Sequence, residues 1–219
     1  MRILVTPKHP TAAETLTVLP SSVVVTARPL RILDLDVEAR PLHWIARDYV
    51  SKEITAMAWA WTDAPNDVTS HLLGETDPVE MLQRFRQAYL TADMVTGHFI
   101  RGYDLPMING ALMEYRLPAL SDKLTHDTKL DLIRRAGLSM SQENLGAMLR
   151  LEHKKVQMNQ ARWRAANRLE LEGLAMARER VCGDVQQHIE LRRELVDLGY
   201  VTPPKVWKSG TARGESYEP

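Results

Sequence analysis

Apolar and polar positions follow two different periods along this chain, and the change from one to the other marks the elements. Residues 31–36 and 54–61 are short apolar runs. The second, Ile54-Thr55-Ala56-Met57-Ala58-Trp59-Ala60-Trp61, is apolar at nearly every position, as in a strand covered on both faces. Residues 68–73 predict a strand beside it, and residues 94–97 a short buried one. Helical spacing starts at Asp77-Pro78-Val79-Glu80, which supplies an N-cap, a proline at the first helical position and an acid at the third. Val79, Leu82, Phe85, Arg86 and Tyr89 then recur on one face. Further helices are expected over residues 105–115 and over 129–136, the second stopped by Gly137. Ser139-Met140-Ser141-Gln142 caps another, with Leu145, Met148 and Leu149 on one face. From residue 167 the pattern is helical to about 198, where Gly199 ends it.

These elements divide the chain into three parts. Residues 1–28 hold two β-like runs (2–6 and 22–27) around a stretch rich in Pro and Thr, and read as an N-terminal extension. Residues 29–200 read as one domain, and residues 201–219, rich in Pro, Gly and Ser, as a flexible tail. Strands early, helices late and βα units between them predict an α/β domain with a mixed sheet flanked by helices.

Composition narrows the picture only a little. With Lys+Arg at 28 and Asp+Glu at 28, no net charge advertises a nucleic-acid coat, although an enzyme that meets a polymer briefly needs none. Cys182 is the single cysteine, which excludes an internal disulfide and fits a reducing cytoplasm. No apolar run approaches the roughly 20 residues that span a bilayer. The apolar part of residues 1–7 is short for a secretory signal. A soluble cytoplasmic protein, with no membrane partner, is the expectation.

The chemistry lies in acids. Asp34, Asp36 and Glu38 alternate along one strand, so they share a face, with Asp36 and Glu38 about 7 Å apart along its axis. Unpaired carboxylates there would repel one another and lose solvation, and a divalent cation removes both penalties. A solvated strand end is the plain alternative. Asp104, in Gly97-His98-Phe99-Ile100-Arg101-Gly102-Tyr103-Asp104, sits at the mouth of a βα connection, either as a helix N-cap or facing the Asp36/Glu38 pair. Asp184 falls in a late helical stripe, Val181, Asp184, His188, Leu191 and Leu195, where an acid needs a cationic partner or a metal. Oxygen donors of this type select Mg²⁺ or Mn²⁺.

Together these stretches resemble the DEDD, or DnaQ-like, exonuclease superfamily of the ribonuclease H-like fold, over roughly residues 30–198. Asp36-Val37-Glu38-Ala39-Arg40 is similar to its first motif, residues 97–106 to its second, and Asp184 in Cys182-Gly183-Asp184-Val185 to the aspartate of its third. Asp127-Thr128-Lys129, Lys154-Lys155 and Trp163 also fall where phage and bacterial members carry similar residues. The resemblance implies a 3′–5′ exonuclease on single-stranded ends, DNA before RNA, working in replication, repair or proofreading, with a DNA polymerase or replisome protein as the expected protein partner. It implies that Asp36, Glu38, Asp104 and Asp184 bind two divalent cations about 3.5–4 Å apart. These would activate water and steady the leaving 3′-oxygen.

The pattern also departs from the family. Where the family has a water-orienting Tyr or His before the third aspartate, this chain has Arg180 and Glu179. Phe99 replaces a usual Asn, and Ala39 a common Thr. His188, one turn after Asp184, is either a substitute or a satisfied core histidine. Lys154 and Lys155 either grip phosphates or are solvated, and Trp163 either stacks on a base or is buried in a helix. RNA 3′-end processing, or a catalytically silent nucleic-acid-binding subunit, remain alternatives.

Overall fold

The computed structural model describes residues 28–42, 50–133 and 137–209, so the β-like runs expected in the first 27 residues lie outside it. Six strands form one sheet: β1 (Ile32–Pro41), β2 (Lys52–Trp61), β3 (Thr69–Leu72), β4 (Met94–Gly97), β5 (Lys123–Asp127) and β6 (Lys205–Trp207). Their order is β3-β2-β1-β4-β5-β6. β1 pairs antiparallel with β2 and parallel with β4, β4 pairs parallel with β5, and both edge strands are antiparallel. The sheet is mixed, as the sequence predicts.

Side-chain size decides how the layers stack. Along β2 the large Met57 and Trp59 face one way, into a core with α1 (Pro78–Thr91) and α2 (Asp104–Glu114). The small Ala56, Ala58 and Ala60 face the other way, against α4 (Gln160–Asn167) and the long α5 (Leu171–Asp197). Alternation on β1 does the same with polarity. Leu33, Leu35 and Val37 enter the first core, which leaves Asp34, Asp36 and Glu38 on the α5 side. A third cluster, Leu132, Leu145, Leu151, Leu191 and Leu195, packs α3 (Gln142–Leu149) against the end of α5.

Local signals set most boundaries. Asp77 caps α1 by accepting the N–H groups of Val79 and Glu80 at 2.9 and 3.2 Å. All five residues of the α5 stripe, Val181, Asp184, His188, Leu191 and Leu195, are buried. Two expectations fail. Over residues 129–133 the chain forms turns and a bridge from Leu132 to Val201 instead of a helix. There Asp127 accepts the N–H groups of Lys129 and Leu130, both at 3.0 Å, but Ile133 N–H then donates to the Tyr200 carbonyl at 2.7 Å and Thr202 N–H to the Asp131 carbonyl at 2.8 Å, which ends the helical course. β5, just before it, was not legible as a strand. Residues 201–209 are also not a free tail: β6 pairs with β5, and Thr125 donates its hydroxyl to the Lys205 carbonyl at 2.8 Å.

Candidate functional site

The site forms where β1 passes under α5. A register shift between Glu38 and Ala39 bends β1 just past the second acid, the usual effect of a bulge. Asp36 and Glu38 project toward Asp184, one turn below Val181 on α5. Each of the three offers an oxygen, and these atoms lie within 4.8 Å of one another. Asp184 is 1% exposed; its Oδ1 has no hydrogen-bond donor, while charged side chains reach its Oδ2.

Asp104 stands beside this group without entering it. It is the first residue of α2, and its Oδ1 accepts the Val37 N–H at 3.1 Å, on the strand residue between Asp36 and Glu38. The carboxylate therefore reaches across to β1 instead of capping its own helix. Burial, partly offset by that hydrogen bond, pushes its pKa up to about 7.

The approach to α2 is built by close packing. At Gly97 a Cβ would come within 2.8 Å of the Leu35 carbonyl oxygen and 2.2 Å of Ile100 Cγ2, so β4 can lie against β1 only with glycine there. Gly102 leaves room for the Phe99 ring, which a Cβ would meet at 2.4 Å. Phe99 itself has φ 76°, a left-handed conformation where a bulky residue is strained. Its N–H is held by Asp127 Oδ1 at 3.0 Å, that of Arg101 by Asp127 Oδ2 at 3.0 Å, and Lys129 Nζ lies 4.2 Å above its ring. Asp127 thus fixes the loop that delivers Asp104.

Two cations answer the acids. Arg180 Nε lies 3.2 Å from Glu38 Oε1 and 3.0 Å from Asp184 Oδ2, while its Nη1 donates to the Val156 carbonyl at 2.5 Å. Lys155 Nζ lies 2.9 Å from the same Asp184 oxygen. The balance remains unfavourable to ionised acids. Burial raises the pKa of Asp36 well above its ordinary value, and the charges of Asp184, Asp104 and Glu38 push it the same way. Glu38 and Asp184 are also raised, burial first, with Arg180 and Lys155 opposing.

A divalent cation fits this donor set. Asp184 has one buried oxygen, Oδ1, without a hydrogen-bond donor, and no described cationic side chain lies within ion-pair distance of Asp36. Three hard oxygen donors within 4.8 Å are a Mg²⁺- or Mn²⁺-type set. The group opens on a cleft of about 250 Å³ lined by Asp36, Asp104, His98, Phe99, Tyr103 and Lys155. Tyr103 also borders a larger cleft, about 460 Å³, beside Lys52, Pro106, Met107 and Tyr115.

The structure brings Asp36, Glu38 and Asp184 together and sets Asp104 at their side. His188 does not join them. It is 2% exposed, with Nδ1 2.5 Å from Asp34 Oδ2 and Nε2 2.8 Å from Thr128 Oγ1. Lys155 turns inward while Lys154 and Glu179 are exposed, and Trp163 is half-buried. The role of Arg180 went unread in the sequence, although its spacing of four residues before Asp184 on one helix was the available signal. Asp127 gave no such signal, because its partners are backbone amides.

No protein-family model matches the chain, and no curated protein matches it significantly. Solved structures do. One is the family B DNA polymerase from the hyperthermophilic archaeon Pyrobaculum calidifontis, similar with a TM-score of 0.58 at 14% identity, over 77% of this chain and 25% of the polymerase chain. This chain therefore spans about a quarter of that protein's length. Its fold is ribonuclease H-like. No helix among the described residues is long and apolar enough to cross a membrane.

Proposed function

We propose that this protein is a divalent-metal-dependent 3′–5′ exonuclease of the DEDD type, acting on single-stranded nucleic-acid ends, DNA before RNA. The observation that carries the reading is the convergence of Asp36, Glu38 and Asp184, from a strand and a helix remote in sequence, onto one point, with Asp184 buried and its Oδ1 left without a donor. Three converging carboxylates answered by two cationic side chains are costly, and a divalent ion offsets that cost. Fold similarity to part of a DNA polymerase supports a nucleic-acid substrate and favours DNA.

Asp36, Glu38 and Asp184 would hold a Mg²⁺ or Mn²⁺ ion, with Asp104 alongside. Bound there, such an ion supplies Lewis-acid activation of water and charge stabilisation at a phosphodiester. The chain's own residues do the rest. Lys155 brings positive charge to the cleft where a phosphate would lie, and Arg180 brings it to Glu38 and Asp184 behind it. A guanidinium has donors and no acceptor, so Arg180 cannot serve as a base. His98 is committed at both nitrogens, to Thr128 Oγ1 at 3.0 Å and the Met140 carbonyl at 2.8 Å. His188 is committed likewise, so neither imidazole is free to take a proton from the nucleophile.

The test is incubation of a 5′-labelled oligonucleotide, as DNA and as RNA, with Mn²⁺, with and without EDTA, alongside the Asp36→Ala protein. A ladder of shortened DNA that vanishes with chelator and with the variant is the expected result. One specific feature favours a second reading, a silent nucleic-acid-binding subunit: Arg180 already spans Glu38 and Asp184. Intact substrate under every condition, with measurable binding, would establish that reading instead.

A further inference from the structure

We infer that this site works with a single divalent cation, the guanidinium of Arg180 standing permanently where a second would be held. The inference rests on the metal-dependent reading above and concerns how its charge is balanced. Four carboxylates are close together here: Asp36, Glu38 and Asp184 make the group and Asp104 stands beside it. With all four ionised, Arg180 and Lys155 cancel half of the charge and leave what one divalent ion balances.

Geometry gives the same count. Glu38 and Asp184 are two of the three acids whose oxygens converge within 4.8 Å, and Arg180 Nε bridges them at 3.2 and 3.0 Å. The guanidinium is not a loose surface group. It projects from α5 one turn before Asp184, its side chain is 15% exposed, and Nη1 is anchored on the Val156 carbonyl at 2.5 Å. A guanidinium is a fixed cation whose planar fork matches carboxylate geometry, so it holds both acids at once. A second cation would meet it at close range in a site of low polarisability, where like charges repel strongly. Asp36, by contrast, has no described cationic side chain within ion-pair distance, and Asp184 Oδ1 has no donor. Those two acids mark the open half of the cluster, where the one ion belongs.

The experiment counts Mn²⁺ on the full-length chain by titration calorimetry and electron paramagnetic resonance. It compares the wild type with Arg180→Met, Arg180→Gln and Arg180→Lys, each checked for folding by circular dichroism. One Mn²⁺ per chain with an uncoupled signal is expected for the wild type and Arg180→Lys. Two per chain, with spin coupling, are expected for Arg180→Met or Arg180→Gln, whichever folds. Two ions in the wild type overturn the inference and leave the nuclease reading intact. A single ion in the charge-removing variants overturns it as well, because Arg180 would then not be what excludes the second. No Mn²⁺ on any of the proteins sinks the inference together with the metal-dependent reading beneath it.

Discussion

At the scale of single residues, the positions that matter most do not touch the cluster at all. Gly97 is one. Adding a methyl group forces either the Leu35 carbonyl or Ile100 to move, and Leu35 adjoins Asp36 on β1. Gly97→Ala is expected to cost roughly 2 kcal/mol of stability, the usual range for overpacking. It should also weaken Mn²⁺ binding, measurable by denaturant unfolding and calorimetry on the same sample. Asp104 makes a different case. Its hydrogen bond to Val37 braces β1 between two members of the acid group without placing it among them. Asp104→Asn keeps an acceptor for that N–H but removes the charge. Roughly 10–100-fold weaker Mn²⁺ binding is expected, as for groups that support metal ligands. Unchanged affinity would show that Asp104 serves the backbone alone.

At the scale of elements, a largely buried chain of hydrogen bonds ties five segments together. It runs from Asp34 on β1 through His188 on α5 and Thr128 after β5 to His98 after β4, and ends on the Met140 carbonyl before α3. A carbonyl only accepts, so His98 Nε2 carries the proton, and a neutral His98 then accepts from Thr128 at Nδ1. Burial lowers the His98 pKa to about 4, with the charges of His188 and Lys129 adding to the effect and the Met140 carbonyl and Asp127 opposing it. An unfolded histidine takes its proton near pH 6.5. The folded state therefore loses stability as pH falls from about 6.5 toward 4, by about 3 kcal/mol in all from this group. Above pH 6.5 both states are neutral there and the term vanishes. His98→Gln should flatten that acid limb in urea melts between pH 7 and 4; an unaltered slope would place the titration elsewhere.

At the scale of the whole molecule, the sheet is wider than its sequence suggests, because its sixth strand comes from beyond the long helix. β6 brings Lys205 to 3.0 Å from Asp131 and Lys208 to 2.7 Å from Asp122. Asp131 also pairs with Arg101 at 2.6 Å, so the edge strand shares an anchor with the loop leading to Asp104. A chain ending at residue 202 loses this pairing and should melt several degrees lower, at about 2–4 °C per kcal/mol for a protein of this size. An identical melting temperature would show β6 to be an ornament of the edge.

Much of this protein was already legible in its alternating pattern. The apolar run of β2, the cap of α1 and the stripe of α5 are periodic signals carried by neighbours in sequence, and Asp36 and Glu38 share a face because strands have a period of two. What escaped was decided by partners far along the chain. Residues 200–202 hydrogen-bond to Asp131 and Ile133, so a helical pattern over residues 129–133 becomes turns and a bridge, and β5 becomes the seat of an edge strand from residues 205–207. His188 and Asp184 lie on one helical stripe, yet one is sequestered by Asp34 and the other meets Glu38, Arg180 and Lys155. Periodicity determined which side chains turn inward. Only the packing of α5 on β1 decided which charges meet there, because electrostatic partners are chosen by distance in space and not by spacing in sequence.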